Sequence, residues 1–141
     1  MQANDFVKFL LRSPLHGLMS GSVLVISFTG CRTGRRISTP VEYYEIGDEL
    51  WVTSRRDRTW WRNLIGGADV HLQLRGRNLR GRAESILDQD TVSAKLNYLC
   101  LRFPARARWL GIRAVEGQPL AEDIRRAAGE RLLVVIRADD P

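Results

Sequence analysis

The chain has 141 residues, a length that suits one domain around one core. Apolar residues make up 44% and charged residues 27%, which excludes a disordered chain. Lysine plus arginine number 22 against 16 aspartate plus glutamate, and almost all of these cations are arginine. The net charge of +6 and a pI near 10.1 favour an anionic partner: a phosphorylated cofactor, a nucleic acid or an acidic lipid surface. No apolar run is long enough to span a bilayer, and the start, Met1-Gln2-Ala3-Asn4-Asp5, lacks the basic end of a secretory signal, so a cytoplasmic protein is expected. Cys31 and Cys100 have no paired spacing, and His16 and His71 no ligand-like spacing. Neither a disulfide nor a metal site is expected.

Phe6, Phe9 and Leu10 stand at helical spacing within Asp5 to Arg12, and Ser13-Pro14 opens a second short helix to Met19. Ser22 to Thr29, rich in Val, Ile and Phe, predicts a buried strand. A basic loop with two glycines follows, Gly30 to Arg36. Ile37 to Ile46 is a second strand, where Pro40 marks an edge or a bulge because proline donates no ladder hydrogen bond. Gly47-Asp48 predicts a tight turn into a third strand, Glu49 to Ser54. Thr59 caps a short helix, Trp60 to Ile65, closed by Gly66-Gly67. Val70, Leu72 and Leu74 alternate with polar residues, and Gly76-Arg77-Asn78 turns the chain into a return strand, Leu79 to Leu87.

The last third reads as helical. Asp88 or Asp90 caps a helix with Val92, Leu96, Leu99, Cys100 and Phe103 on one face. Pro104 interrupts it, and a second piece runs to about Leu110. Gly111 to Pro119 is expected as a linker and Ala121 to Ala128 as a short helix. Leu132 to Ile136 is a final strand whose continuous apolar run implies burial on both faces. The expected architecture is one mainly β domain over residues 1–141, a barrel of about six antiparallel strands with flanking helices. Its parts are N-terminal helices over 1–20, a barrel core over 22–87, a helical segment over 88–129 and a final strand over 131–137.

Two segments carry candidate chemistry. In Gly30 to Arg36 the glycines permit a tight turn and close approach to a ligand, while Arg32, Arg35 and Arg36 supply charge and Thr33, Ser38 and Thr39 hydroxyls. The loop is neither a P-loop nor a dinucleotide fingerprint. In Thr53 to Leu64, Ser54 and nearby amides suit a planar ring, Trp60 or Trp61 can wall a pocket, and Arg55, Arg58 and Arg62 can hold a negative tail. Arginine interleaved with tryptophan also suits single-stranded nucleic acid. Tyr43 and Tyr44 point to opposite faces of their strand, so one of them packs. No Ser-His-Asp set or paired-carboxylate motif is visible, as in an enzyme whose cofactor does the chemistry or in a binding protein.

The run Thr29 to Arg36, then Thr39-Pro40-Val41 and Tyr43, then Gly47-Asp48 with a strand ending at Ser54, then Trp61-Arg62-Asn63-Leu64, then Gly76 and Gly81-Arg82-Ala83, resembles the deazaflavin-dependent nitroreductase family. The resemblance covers Ser22 to about Ile86. It implies a homodimeric split β-barrel related to the pyridoxamine-phosphate oxidase-like proteins, with coenzyme F420, or alternatively FMN, as cofactor. By that resemblance Arg32, Thr33, Arg35 and Arg36 hold the phosphate. Thr39, Pro40, Val41, Thr53, Ser54 and Arg55 line the ring site, and Trp61 and Asn63 support the cofactor tail. The aromatic just before Arg62 is then on the cofactor side, which leaves Trp60 to pack. Cys31 and Ile37 stand where the family often carries a basic residue and an arginine. The implied activity is hydride transfer from reduced deazaflavin to a small acceptor such as a quinone or nitro compound, with Ser54 as donor and Tyr43 or Tyr44 as proton source. The rival readings are a non-catalytic carrier of a flavin, haem or acyl ligand, and a nucleic-acid-binding barrel, the latter not expected.

Overall fold

The computed structural model of the protein describes residues 23–139. The two N-terminal helices expected before Gly21 lie outside the described residues. Alternating apolar residues and short turns build strands β1 (Val23–Thr29), β2 (Arg36–Glu42), β3 (Tyr44–Ile46), β4 (Glu49–Arg55), β5 (Ala68–Leu74), β6 (Arg77–Ile86), β7 (Ala114–Val115), β8 (Gln118–Pro119) and β9 (Arg131–Ala138). The helices are α1 (Gln89–Arg102), α2 (Pro104–Ala107) and α3 (Ala121–Glu130), with short 3₁₀ helices at Trp60–Leu64 and Arg108–Leu110.

Seven strands form one sheet in the order β2-β1-β5-β6-β9-β4-β3, every pairing antiparallel. The strand expected over Ile37–Ile46 is broken at Tyr43. Its first part pairs with β1 at one edge of the sheet and its second with β4 at the other. One bent segment thus belongs to both edges, and the sheet curls into a half-barrel that fits a split β-barrel. Pro40 sits on β2, an edge strand, opposite Val25, where its missing N–H costs little.

Two cores result. Leu24, Ile26, Val52, Leu72, Leu132, Val134 and Ile136 fill the barrel interior. Outside, Val92, Leu96 and Leu99 of α1 and Ile124, Ala127 and Ala128 of α3 pack on Tyr44, Trp51 and Leu133. The final strand contributes alternate residues to both cores, which explains its continuous apolar run. Asp88 caps α1, its side chain accepting from the Thr91 amide at 2.9 Å. Thr59 occupies the cap position before Trp60 but makes no side-chain capping bond.

The expected linker 111–119 instead holds the β7–β8 hairpin, ordered by a buried carboxylate. Asp123 of α3 accepts from both the amide and the side-chain Nε of Arg113 at 2.8 Å. The turn after β5 is Arg75-Gly76, one residue earlier than expected, with positive φ at both positions. Gly81 allows β6 and β9 to approach closely: a Cβ there would meet the Arg137 carbonyl oxygen at 2.6 Å.

Candidate functional site

The loop between β1 and β2 is held by its own backbone. The Gly30 amide donates to the Arg35 carbonyl at 2.7 Å and the Gly34 amide to the Gly30 carbonyl at 2.9 Å. The Arg35 amide donates to the Thr33 hydroxyl at 3.3 Å. Gly34 has φ +71°, which favours glycine, whereas a Cβ on Gly30 would meet only the far end of the Ile37 side chain, Cδ1, at 3.0 Å. This closed backbone turns Arg32 and Arg35 outward, and Arg36 begins β2; all three are exposed. Some arginines elsewhere pair with carboxylates, as Arg137 does with Glu49 at 2.7 Å and Arg82 with Asp69 at 3.2 Å, while others, such as Arg58, Arg62 and Arg80, form no ion pair among the described residues. Arg32, Arg35 and Arg36 take part in no ion pair among the described residues. Three unneutralised guanidiniums beside a threonine hydroxyl form a donor set that fits a phosphate.

A second element is tied to the loop. The Cys31 amide donates to Asn63 Oδ1 at 2.8 Å, and Asn63 Nδ2 donates to the Trp60 carbonyl at 3.0 Å. Trp60 Nε1 in turn donates to the Ser54 hydroxyl at 3.1 Å, and Ser54 Oγ donates to the Arg55 carbonyl at 3.2 Å. Trp60 is half-buried, with its ring centroid 6.3 Å from that of Phe28. The fold therefore brings together the basic loop, Asn63, Trp60 and Ser54, although they lie on three separate stretches of chain. A cavity of about 520 Å³ opens beside the loop, lined among others by Ser27, Thr29, Gly34, Arg36, His71 and Arg80. An adjoining one of about 450 Å³ shares Ser27, Arg36 and His71.

The tryptophan pair is buried in the reverse of the expected sense. Trp61 is 6% exposed and belongs to the barrel core, while Trp60 only packs against it. Trp61 and Leu64 form the inward side of the 3₁₀ helix, and the Trp61 carbonyl accepts from the buried Ser85 hydroxyl at 2.7 Å. Trp61 Nε1 has no hydrogen-bond partner among the described residues.

The other expected site residues fall on both faces of the sheet. Val41 faces the barrel core, Thr39 lies opposite Ile26, and Pro40 is on the other face, opposite Val25. Thr53 is half-buried opposite Leu133, on the helix side. Arg55 ends β4 and is exposed, with Asp57 as its partner at 3.3 Å. Tyr43 and Tyr44 do point oppositely, Tyr43 into the barrel and Tyr44 into the helix-facing core. Tyr44 packs against Phe103 with the rings tilted by 53° and their centroids 5.3 Å apart, and its ring centre lies 4.0 Å from the Arg106 guanidinium; burial pushes its hydroxyl pKa up, with Arg106 opposing. The structure does not bring Tyr44 to Ser54. Arg56 is structural: its guanidinium donates to the carbonyls of Leu87, Ala128 and Arg131. Sequence reasoning had no signal for that role. The Trp60–Ser54 bond, also unforeseen, follows from the six-residue separation across a polar turn.

A family model for F420H(2)-dependent quinone reductases matches residues 12–100. The chain belongs to that family. F420-dependent oxidoreduction is the family's chemistry, and the arginine loop lies inside the matched segment. No curated protein matches the chain. Among solved structures, it is similar to the general stress FMN/FAD binding protein of Xanthomonas citri, with 19% identity, a TM-score of 0.52, and 94% of this chain and 86% of that one covered. A putative pyridoxamine 5'-phosphate oxidase from Listeria innocua shares 9% identity at a TM-score of 0.51, over 98% and 94% of the chains. The FAD and heme binding protein of Mycobacterium smegmatis shares 18% identity at 0.50, over 92% and 72%. At these identities the likeness shows the fold, a split barrel.

Proposed function

We propose that this quinone reductase family member is a cytoplasmic homodimer that uses reduced F420 to reduce a quinone or a nitro compound, with the whole chain forming one domain. The observation that carries this reading is the set of three unpaired arginines on a loop fastened, through Asn63, to the turn that bears Trp60. Arg32, Arg35 and Arg36 hold the cofactor phosphate, helped by the Thr33 hydroxyl. Thr39, Val41 and Ser54 flank the ring, with Arg55 at the end of β4 beside them; Pro40 and Thr53 lie on the opposite face and drop out of the ring site, and Trp60 replaces Trp61 as the aromatic wall. When bound, the reduced deazaflavin supplies a hydride. Ser54 accepts from Trp60, so its hydroxyl proton is free to turn from the Arg55 carbonyl toward negative charge developing on the acceptor. Tyr43, on the same face of the barrel wall, is the proton source in place of Tyr44. FMN is the alternative cofactor.

Absorbance of the purified protein after addition of F420 or FMN, then reductant, then menadione or a nitroaromatic compound, tests this. F420 binding followed by acceptor-dependent reoxidation supports the reading. Binding without turnover identifies a carrier instead, and tight FMN binding with no F420 binding changes the cofactor. Light scattering of the loaded protein tests the dimer, and a monomer at micromolar concentration contradicts it.

A further inference from the structure

We infer that Asn63 is a positioning residue: it acts on the cofactor phosphate through the loop it braces. The inference rests on the phosphate reading of the loop. The oxygen of the Asn63 amide and one of its two N–H donors are engaged within the protein. Its oxygen accepts from the Cys31 amide at 2.8 Å and its nitrogen donates to the Trp60 carbonyl at 3.0 Å. Cys31 immediately precedes Arg32, so this bond fixes the point from which the first guanidinium projects. Trp60 Nε1 then reaches Ser54 at 3.1 Å. The result is a continuous strut of hydrogen bonds from the phosphate loop to the end of β4, spanning residues 31, 63, 60 and 54.

The physical reason is pre-organisation. Arg32, Arg35 and Arg36 repel one another, and among the described residues no carboxylate pairs with any of them. The loop's own bonds close Gly30 to Gly34 and Arg35, and without Asn63 the closed loop as a whole would be free to shift against the rest of the barrel, so that binding would have to fix it again at a cost in affinity. A brace on the backbone holds the charges in place without neutralising them, which a carboxylate brace would do. Asn, neutral and able to accept and donate at once, meets both needs.

The test compares F420 with 8-hydroxy-5-deazariboflavin, which has the same ring and no phosphate. Wild type, Asn63→Ala and Ser85→Ala are titrated with both, and thermal melts are recorded. Ser85 holds the same 3₁₀ helix from inside, through the Trp61 carbonyl at 2.7 Å, and does not touch the loop. Asn63→Ala is expected to bind F420 about tenfold more weakly, the equivalent of one or two lost hydrogen bonds, while its affinity for the phosphate-free ring is unchanged. Ser85→Ala is expected to lower the melting temperature and keep the preference for F420. In wild type, the Cys31 amide should exchange with solvent more slowly than the Arg32 amide next to it, a result that does not depend on any variant folding. If Asn63→Ala weakens both ligands equally, weakens neither, or matches Ser85→Ala, the inference is overturned. A wild type that binds both ligands alike removes the phosphate site itself, and the strut's role falls with it.

Discussion

The Trp60 indole donates to the Ser54 hydroxyl at 3.1 Å, joining the 3₁₀ helix to the last buried residue of β4. Its neighbour Trp61 is the one sealed in the core. The two tryptophans should therefore separate stability from binding. Trp61→Ala should destabilise the fold by about 3–5 kcal/mol, as expected for emptying a buried aromatic site. Trp60→Ala should cost about 1–2 kcal/mol, from one hydrogen bond and the Phe28 contact, and should reduce cofactor affinity more than Trp61→Ala does in folded protein. Thermal melts and ligand titrations on both variants read this out; equal effects on stability would rule out the assignment.

Arg56 predicts a stability effect with no binding component of its own. It connects the end of β6, the C-terminal turn of α3 and the start of β9 through three carbonyls, and its own amide donates to the Glu130 carbonyl at 2.9 Å. Arg56→Ala leaves those carbonyls without the guanidinium and should cost about 2–4 kcal/mol. Arg58, exposed and two residues on, should tolerate Ala within about 0.5 kcal/mol. Chemical denaturation of the two variants distinguishes the positions.

The Arg113–Asp123 pair predicts an acid-side signature. Hydrogen bonds from the Arg113 side chain and amide hold the Asp123 carboxyl well below the usual carboxylate range, against the opposing effect of burial. Its native pKa lies below its unfolded value of about 3.9, so its stabilisation is complete above that value and is lost as pH falls through the native one. Wild type should melt above Asp123→Asn at neutral pH, and the gap should narrow as pH drops below about 4. A gap independent of pH would assign the effect to packing of the hairpin alone.

Most of the strand pattern was legible because period-two alternation survives in β5 and β6, while β1 and β4 are short apolar, β-branched runs bounded by turn residues. The double-sided burial of β9 was legible too, from the unbroken apolar run Leu132 to Ile136, which divides between the two cores. The break at Tyr43 was not, because both Tyr43 and Tyr44 are apolar enough to be buried and the change of partner strand leaves no local mark. The β7–β8 hairpin was hidden for a similar reason: its order comes from Asp123, on a different element. Within the site, the glycines and arginines of 30–36 were readable as a loop for an anion. The facing of Trp60 and Trp61 was not, since an α-helical and a 3₁₀ turn present consecutive residues differently and the core that takes in Trp61 is assembled from distant strands.

Titration of F420 into apoprotein, wild type against the double variant Arg32→Ala/Arg36→Ala, tests the central claim most directly. Each charge-assisted bond to phosphate is worth about 1.5–3 kcal/mol, so the double variant should bind at least about a hundredfold more weakly. Its melting temperature should stay close to wild type, because neither guanidinium makes a hydrogen bond or ion pair among the described residues and both are exposed. Unchanged affinity in a folded double variant would contradict the account.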